Sequence, residues 1–465
     1  VCQVEMVTQT PRSTTVMAVR DSELAKLPEG LFNAIKLRFP IVVTRLINLL
    51  GHRILGSWKK PSVSRAIDTR PSQNNFSTVA IVPISDDVPL TAFTYELYHS
   101  LCVCGATLRL TSDVIRKSLG SSILDTNNEY RLTSWLAQQE DQHGIVLYQC
   151  DHNLTAWTQR CVRQADCILI VGLADKEPHI GKIEKEVERL AIRTQKELVL
   201  LHREGADRPK NTVAWLNNRT WVSSHHHIQC SKRMFSRRSQ YRVNELYNKV
   251  LMSEPNIHSD FSRMARWLSG TSVGLVLGGG GARGAAHVGM IKATRMARWL
   301  SGTSVGLVLG GGGARGAAHV GMIKAVLEAG IPIDMVGGVS IGAFMGALWC
   351  MEKNVTTMTQ KAREWSKVRT FLFRYPVLNM LVRDRVTTVA PGGRSLPQKM
   401  TQWWRQMLDL TYPVTSMFSG RDFNTTIQRT FGETHLEDLW LPYFTISTDI
   451  TDSCMRVHTH GTTLT

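Results

Sequence analysis

The chain has 465 residues, 43% of them hydrophobic, and 55 Lys and Arg against 38 Asp and Glu give a formal charge of +17. That length admits about three domains, and the apolar content excludes a disordered or fibrous chain. No run reaches about 20 uncharged apolar residues, so no membrane-spanning helix is predicted.

The excess positive charge is spread along the chain, with one cluster at Lys232, Arg233, Arg237, Arg238 and Arg242. No RNA-type aromatic motif accompanies it, so the expected partner is an anionic membrane surface rather than nucleic acid. A solvated basic linker is the alternative. Nine cysteines without C-x-x-C spacing, and no signal peptide, point to reduced thiols in a cytosolic setting. The first residue is Val and the last five are GTTLT, so truncation is expected at both ends.

In chain order, residues 1–58 open with Thr10-Pro11-Arg12-Ser13-Thr14-Thr15-Val16 and continue into a helical stretch, Glu23–Leu50. This resembles the phosphate cassette and closing helices of a cyclic-nucleotide-binding domain. The resemblance implies that Arg12 stands where a cyclic phosphate is held. Cys2-Gln3 occupies the place of that family's Gly-Glu pair, so no cyclic nucleotide is expected and Arg12 is read as a surface or structural residue. Residues 59–76 read as a polar linker.

Residues 77–230 alternate apolar runs with helical periodicity. The runs are Val79–Ile84, Thr107–Leu110, Ile145–Tyr148, Cys167–Val171 and Leu198–Leu201. Ala92–Leu101, Tyr130–Gln139 and Ile183–Ala191 carry the helical pattern between them. A small α/β domain with a parallel sheet follows, for interaction or regulation. It has no P-loop G-K-[ST], so nucleotide hydrolysis is unsupported. His225-His226-His227 lacks Cys or carboxylate partners at ligand spacing and is read as an exposed triplet rather than a metal site. Residues 231–262 read as a basic linker.

The segment Arg263–Ala293 recurs letter for letter at Arg295–Ala325, with Thr294 between. A perfect tandem pair points to recent duplication or to an assembly artefact, since natural repeats drift. Both copies want one sheet position, so one should be displaced. The extra copy brings Arg263, Arg266, Arg283 and Lys292 and no acid, so the chain stays strongly basic without it. Only the second copy runs on into the next motif, so function is assigned to Gly310–Gly316 and none to Gly278–Gly284.

That next motif is Gly338-Val339-Ser340-Ile341-Gly342, a G-x-S-x-G elbow at a strand-to-helix turn. Flanking glycines relieve Cβ clashes, so the hydroxyl stands exposed. The helix Ile341–Cys350 points its N-terminal amides toward the serine. Gly310–Gly316 follows the strand-like Val305–Leu309 and supplies free backbone N–H groups, which can hold the oxyanion of an ester-hydrolysis intermediate.

GGGGARG, a helix, then GVSIG resembles the patatin-like phospholipase family, in its lysophospholipase branch. The resemblance implies a three-layer α/β hydrolase domain, incomplete here, over 295–465. It implies a Ser–Asp dyad cleaving acyl esters of phospholipids or lysophospholipids, without metal or organic cofactor. Ser340 is then the nucleophile and Gly311, Gly312 and Gly313 form the oxyanion hole. Gly310, Arg315, Gly316, Gly338 and Gly342 support them. The family's Asp comes from a later D-G-G or D-G-A motif, and no Asp-Gly dipeptide occurs in the chain. The resemblance also implies a place at the cytoplasmic face of the endoplasmic reticulum membrane.

Downstream, Thr356–Arg374 reads as a basic helix and Val382–Lys399 as an irregular loop. Asp409–Gly420 and Leu436–Met455 resemble the family again. Asp449, not followed by glycine, is read as a turn residue at a strand end. His287 and His319 are read as packing residues. Two alternatives stay open. One is a catalytically inactive lipid-binding or scaffold module, since a serine without its base is a weak nucleophile. The other is a dinucleotide site, in which Gly311-x-Gly313-x-x-Gly316 holds phosphate and Asp334 the ribose.

Overall fold

The computed structural model describes residues 28–39, 41, 76–236, 240–277, 304–310, 317–373, 421–449 and 451–462. Arg12, Gly311–Gly313, Arg315, Gly316, His287, Val382–Lys399 and Asp409–Gly420 lie outside them. Within residues 1–58 they include one helix, α1 (Glu29–Arg38), whose Leu37 is exposed.

The first sheet contains β1 (Thr78–Pro83), β2 (Thr107–Leu110), β3 (Ile145–Gln149), β4 (Cys167–Leu173), β5 (Gln195–Arg203) and β6 (Ser224–Cys230), in the order β2-β3-β1-β4-β5-β6. Every pairing is parallel. β1 and β4 are buried along their whole length, which is why they read as unbroken apolar runs rather than alternating ones.

Alternate residues feed two cores. Val79, Ile81, Leu169 and Val171 meet α2 (Leu90–Leu101), while Ala80, Val82, Ile168 and Ile170 meet the opposite layer. That layer is α3 (Ser112–Leu119), α4 (Glu129–Gln142), α5 (Ala156–Gln164) and α6 (Lys182–Leu190), with the short α7 (Thr212–Asn217) beyond it.

The domain does not stop at residue 230. The stretch 231–262, expected as a basic linker, instead carries α8 (Gln240–Leu251) and the start of α9 (Asp260–Leu268). Tyr247, Phe261, Met264 and Leu268 complete the core above α2. Arg233 is drawn in by Glu96, with Nε to Oε1 at 2.7 Å, so part of the basic cluster serves a structural pair.

The second sheet runs β11-β10-β9-β8-β7. Its strands are β7 (Ser272–Leu277), β8 (Ser304–Leu309), β9 (Ile333–Gly338), β10 (Tyr443–Asp449) and β11 (Cys454–His458). All pairs are parallel except the β10–β11 hairpin. The two SVGLVL copies are β7 and β8, side by side and in register from Ser272–Ser304 to Leu277–Leu309. The first copy is therefore displaced to the sheet edge, and its RMARWL segment builds α9.

Among the described residues four helices accompany this sheet: α10 (Ala317–Glu328), α11 (Ile341–Glu352), α12 (Val355–Phe373) and α13 (Arg421–Phe431). Leu307, Leu309, Val336 and Tyr443 pack beneath Ile323, Phe344, Leu348 and Phe431. No helix among the described residues is long and apolar enough to cross a membrane.

Candidate active site

Ser340 sits between β9 and α11 with φ 55° and ψ −123°. A non-glycine residue at positive φ costs about 1–3 kcal/mol and persists only where its surroundings hold it. Here the hold is steric. A Cβ on Gly338 would strike the backbone of Ala343 and Gly342, and one on Gly342 would strike the carbonyls of Leu309 and Gly310. The elbow needs both glycines because α11 starts against the end of β8. The amide of Val339 donates to the Leu309 carbonyl at 3.1 Å, and Gly337 leaves room for the Phe444 ring.

The serine is exposed, and its carbonyl starts the helix by accepting from the Phe344 amide at 3.1 Å. Gly310, the first glycine of the rich turn, thus lies against the elbow. Its carbonyl is held by His319 Nε2 at 2.9 Å, so His319 tethers Gly310 to α10. Sequence reasoning had given this histidine packing only. Among the described residues, no His, Asp or Glu hydrogen-bonds the Ser340 hydroxyl.

The neighbouring strand supports the turn. Thr445 Oγ1 donates to the Gly338 carbonyl at 3.2 Å, and the Tyr443 hydroxyl donates to the Ala343 carbonyl at 2.9 Å. Burial raises the pKa of Tyr443, so it stays a neutral donor. Asp449 accepts from the amides of Thr451 and Asp452 and from Arg456 Nε at 2.6 Å. It organises the β10–β11 turn, the place its sequence context gives it.

Two expectations change. His225-His226-His227 is not an exposed triplet: His226 and His227 are buried and His225 half-buried. The reason is that β6 is the edge of the first sheet and the second domain covers it. His225 and His227 both bond the Glu437 carbonyl through Nε2, at 3.1 and 2.9 Å, and His202 Nε2 meets His227 Nδ1 at 2.9 Å. No metal-ligating group of the described residues includes them.

The second change concerns Asp334, the acid of the dinucleotide alternative. It is the second residue of β9, and its carboxylate is taken by Arg266 in two bonds of 2.8 and 2.5 Å. That pair is nearly buried, which leaves no free acid for a ribose. The cleft between the domains, about 670 Å³, is lined by His225–His227, Trp267, Met335, Trp440 and Phe444, and Ser340 is not part of its wall.

In the first domain, the turn after β1 is where sheets of this order bind phosphate. It carries Asp86 and Asp87, paired with His152 at 3.9 Å and Lys176 at 3.4 Å, and Pro89 caps the following helix. Carboxylates in that position repel an anion.

The chain can now be set beside known proteins. Residues 75–270 match the P-loop-like domain of the neuropathy target esterase family, and residues 307–463 match the patatin-like phospholipase family. The chain is 59% identical to neuropathy target esterase sws of Drosophila melanogaster over 463 residues, which are 98% of this chain and 28% of that protein. It is also 59% identical to the proteins of the same name from Drosophila sechellia and Drosophila grimshawi, again over 98% of its length and 27% of theirs. The chain thus spans little more than a quarter of these relatives. No solved structure matches it. The α/β body that ends at α9 and the elbow-bearing sheet that follows are therefore a P-loop-like domain of the neuropathy target esterase family joined to a patatin-like phospholipase domain.

Proposed function

We propose that the chain carries the nucleophile half of a serine esterase that hydrolyses acyl esters of lysophospholipids or phospholipids. Ser340 attacks the carbonyl, and the amides of Gly311, Gly312 and Gly313 hold the oxyanion. Gly310, Gly316, Gly338 and Gly342 shape the two turns, with Arg315 beside them as the basic group. The observation that carries this reading is the contact of Gly342 with the carbonyls of Leu309 and Gly310, which sets the strained serine against the opening of the glycine-rich turn. The match of 307–463 to patatin-like phospholipases supports the substrate class.

The base is an Asp in a Ser–Asp dyad. No Asp-Gly dipeptide occurs in these 465 residues, so this chain by itself turns over ester slowly or not at all. On that account the isolated chain behaves as a lipid-binding module. The working site is on the cytoplasmic side of an endoplasmic-reticulum membrane, reached through the basic surface. Residues 1–58 are a remnant of a cyclic-nucleotide-binding domain without ligand, and 263–294 is the redundant repeat. The patatin-like domain is residues 295–465.

The test is hydrolysis of lysophosphatidylcholine by the chain and by Ser340→Ala. Both should stay near background. Turnover that vanishes in Ser340→Ala would overturn the dyad assignment and require a base inside the chain. A parallel titration of NADH fluorescence should show no saturable binding, and micromolar binding would favour the dinucleotide alternative.

A further inference from the structure

Helix α9 belongs to the first domain's core through Phe261, Met264, Ala265 and Leu268. Its polar residues nevertheless reach into the second domain at three places. Arg266 holds both oxygens of Asp334, with Arg266 5% and Asp334 11% exposed. Asp334 is the second residue of β9, the strand that runs into Val339 and Ser340. Asp260, at the other end of α9, accepts from Lys353 Nζ at 2.8 Å. Lys353 is the left-handed C-cap of α11, the helix that leaves the elbow. Between them, Arg263 Nη1 donates to the Trp440 carbonyl at 3.1 Å, just ahead of β10.

One helix thus grips the strand that enters the elbow and the helix that leaves it. Buried ion pairs resist sliding, because separating them strands an uncompensated charge in the interior. Burial pushes the Lys353 ammonium down, and the carboxylate of Asp260 is held below its ordinary range by Arg263 and Lys353 despite its burial. A strained residue such as Ser340 keeps its conformation only when both flanks are fixed.

We propose that α9 is a positioning element of the esterase site, with Arg266 and Asp260 as positioning residues. They act on Ser340 through Asp334 and Lys353, and the proposal rests on the reading of Ser340 as the nucleophile. The unit that holds the elbow then spans both domains, not residues 307–463 alone.

Hydrogen exchange by mass spectrometry on the intact chain tests this, comparing wild type with Arg266→Gln, Asp334→Asn, Asp260→Asn and Arg266→Lys. Amides from Gly337 to Phe344 should exchange roughly tenfold faster in the first three variants, while β1 and β4 keep their protection. Arg266→Lys should recover part of the lost protection. Unchanged exchange at the elbow in Asp334→Asn, the isosteric variant, would overturn the proposal. So would an equal loss across β1 and β4, which marks a merely structural role. Fluorophosphonate adducts mapped in wild type and Ser340→Ala judge the nucleophile separately. An adduct that persists in Ser340→Ala sinks that reading, whatever the exchange result says of the clamp.

Discussion

The Val339 amide donates to the Leu309 carbonyl at 3.1 Å, joining the end of β9 to the end of β8 immediately before Ser340. This bond sets the end of β8 beside the elbow, and Gly342 then closes against the same carbonyl. Gly342→Ala should therefore displace α11 from β8. Overpacking of this kind costs about 1–3 kcal/mol, read as a lower urea midpoint. Gly321→Ala is the control, since a Cβ there meets nothing within 4 Å. Equal midpoints for both variants would show that the elbow is not pressed against β8.

The sequence made the elbow legible because its constraint is local: a serine at positive φ between close-packed strands demands glycines at fixed offsets. The buried strands β1, β3, β4 and β5 were legible for a similar reason, as short apolar runs. β6 was not, since Ser224–His227 is polar and its burial comes from Glu437 and Trp440, far along the chain. The stretch from Arg233 to α9 was hidden by its basic residues, since the partners of Arg233 and Arg266, Glu96 and Asp334, are likewise distant. Where burial depends on long-range pairing, composition suggests a linker.

The histidines at the domain interface give a pH dependence. Burial lowers the pKa of His202 to about 4, and also lowers those of His225 and His227. Unfolded, each ring takes a proton near pH 6.5. Between about 4 and 6.5 the unfolded chain therefore binds more protons, so stability rises with pH and is lost as pH falls through that window. Arg263 and His460 oppose extra charge there, while Asp260 and Asp175 favour it more weakly than burial disfavours it. Urea unfolding at pH 7.5 and 5.5 should differ by about 1 kcal/mol from His202 alone. A flat profile across that interval would mean the rings are not buried neutral.

Deleting Arg263–Thr294 joins Ser262 to Arg295 and restores the same RMARWLSGTSVGLVL sequence once. The second copy should then supply both α9 and β8, with β7 lost from the sheet edge. The expected result is a folded chain with a melting midpoint within a few degrees of the parent. Failure of the deletion to fold would show that the first copy, β7 included, is integral to the fold.

The central claim is that the reactive hydroxyl is that of Ser340. Prolonged incubation with a fluorophosphonate, followed by intact mass and peptide mapping, tests it most directly. The account predicts one slowly formed adduct, on the peptide containing Gly338–Gly342, absent from Ser340→Ala. A strong adduct on any other serine, with Ser340 unmodified, would contradict it.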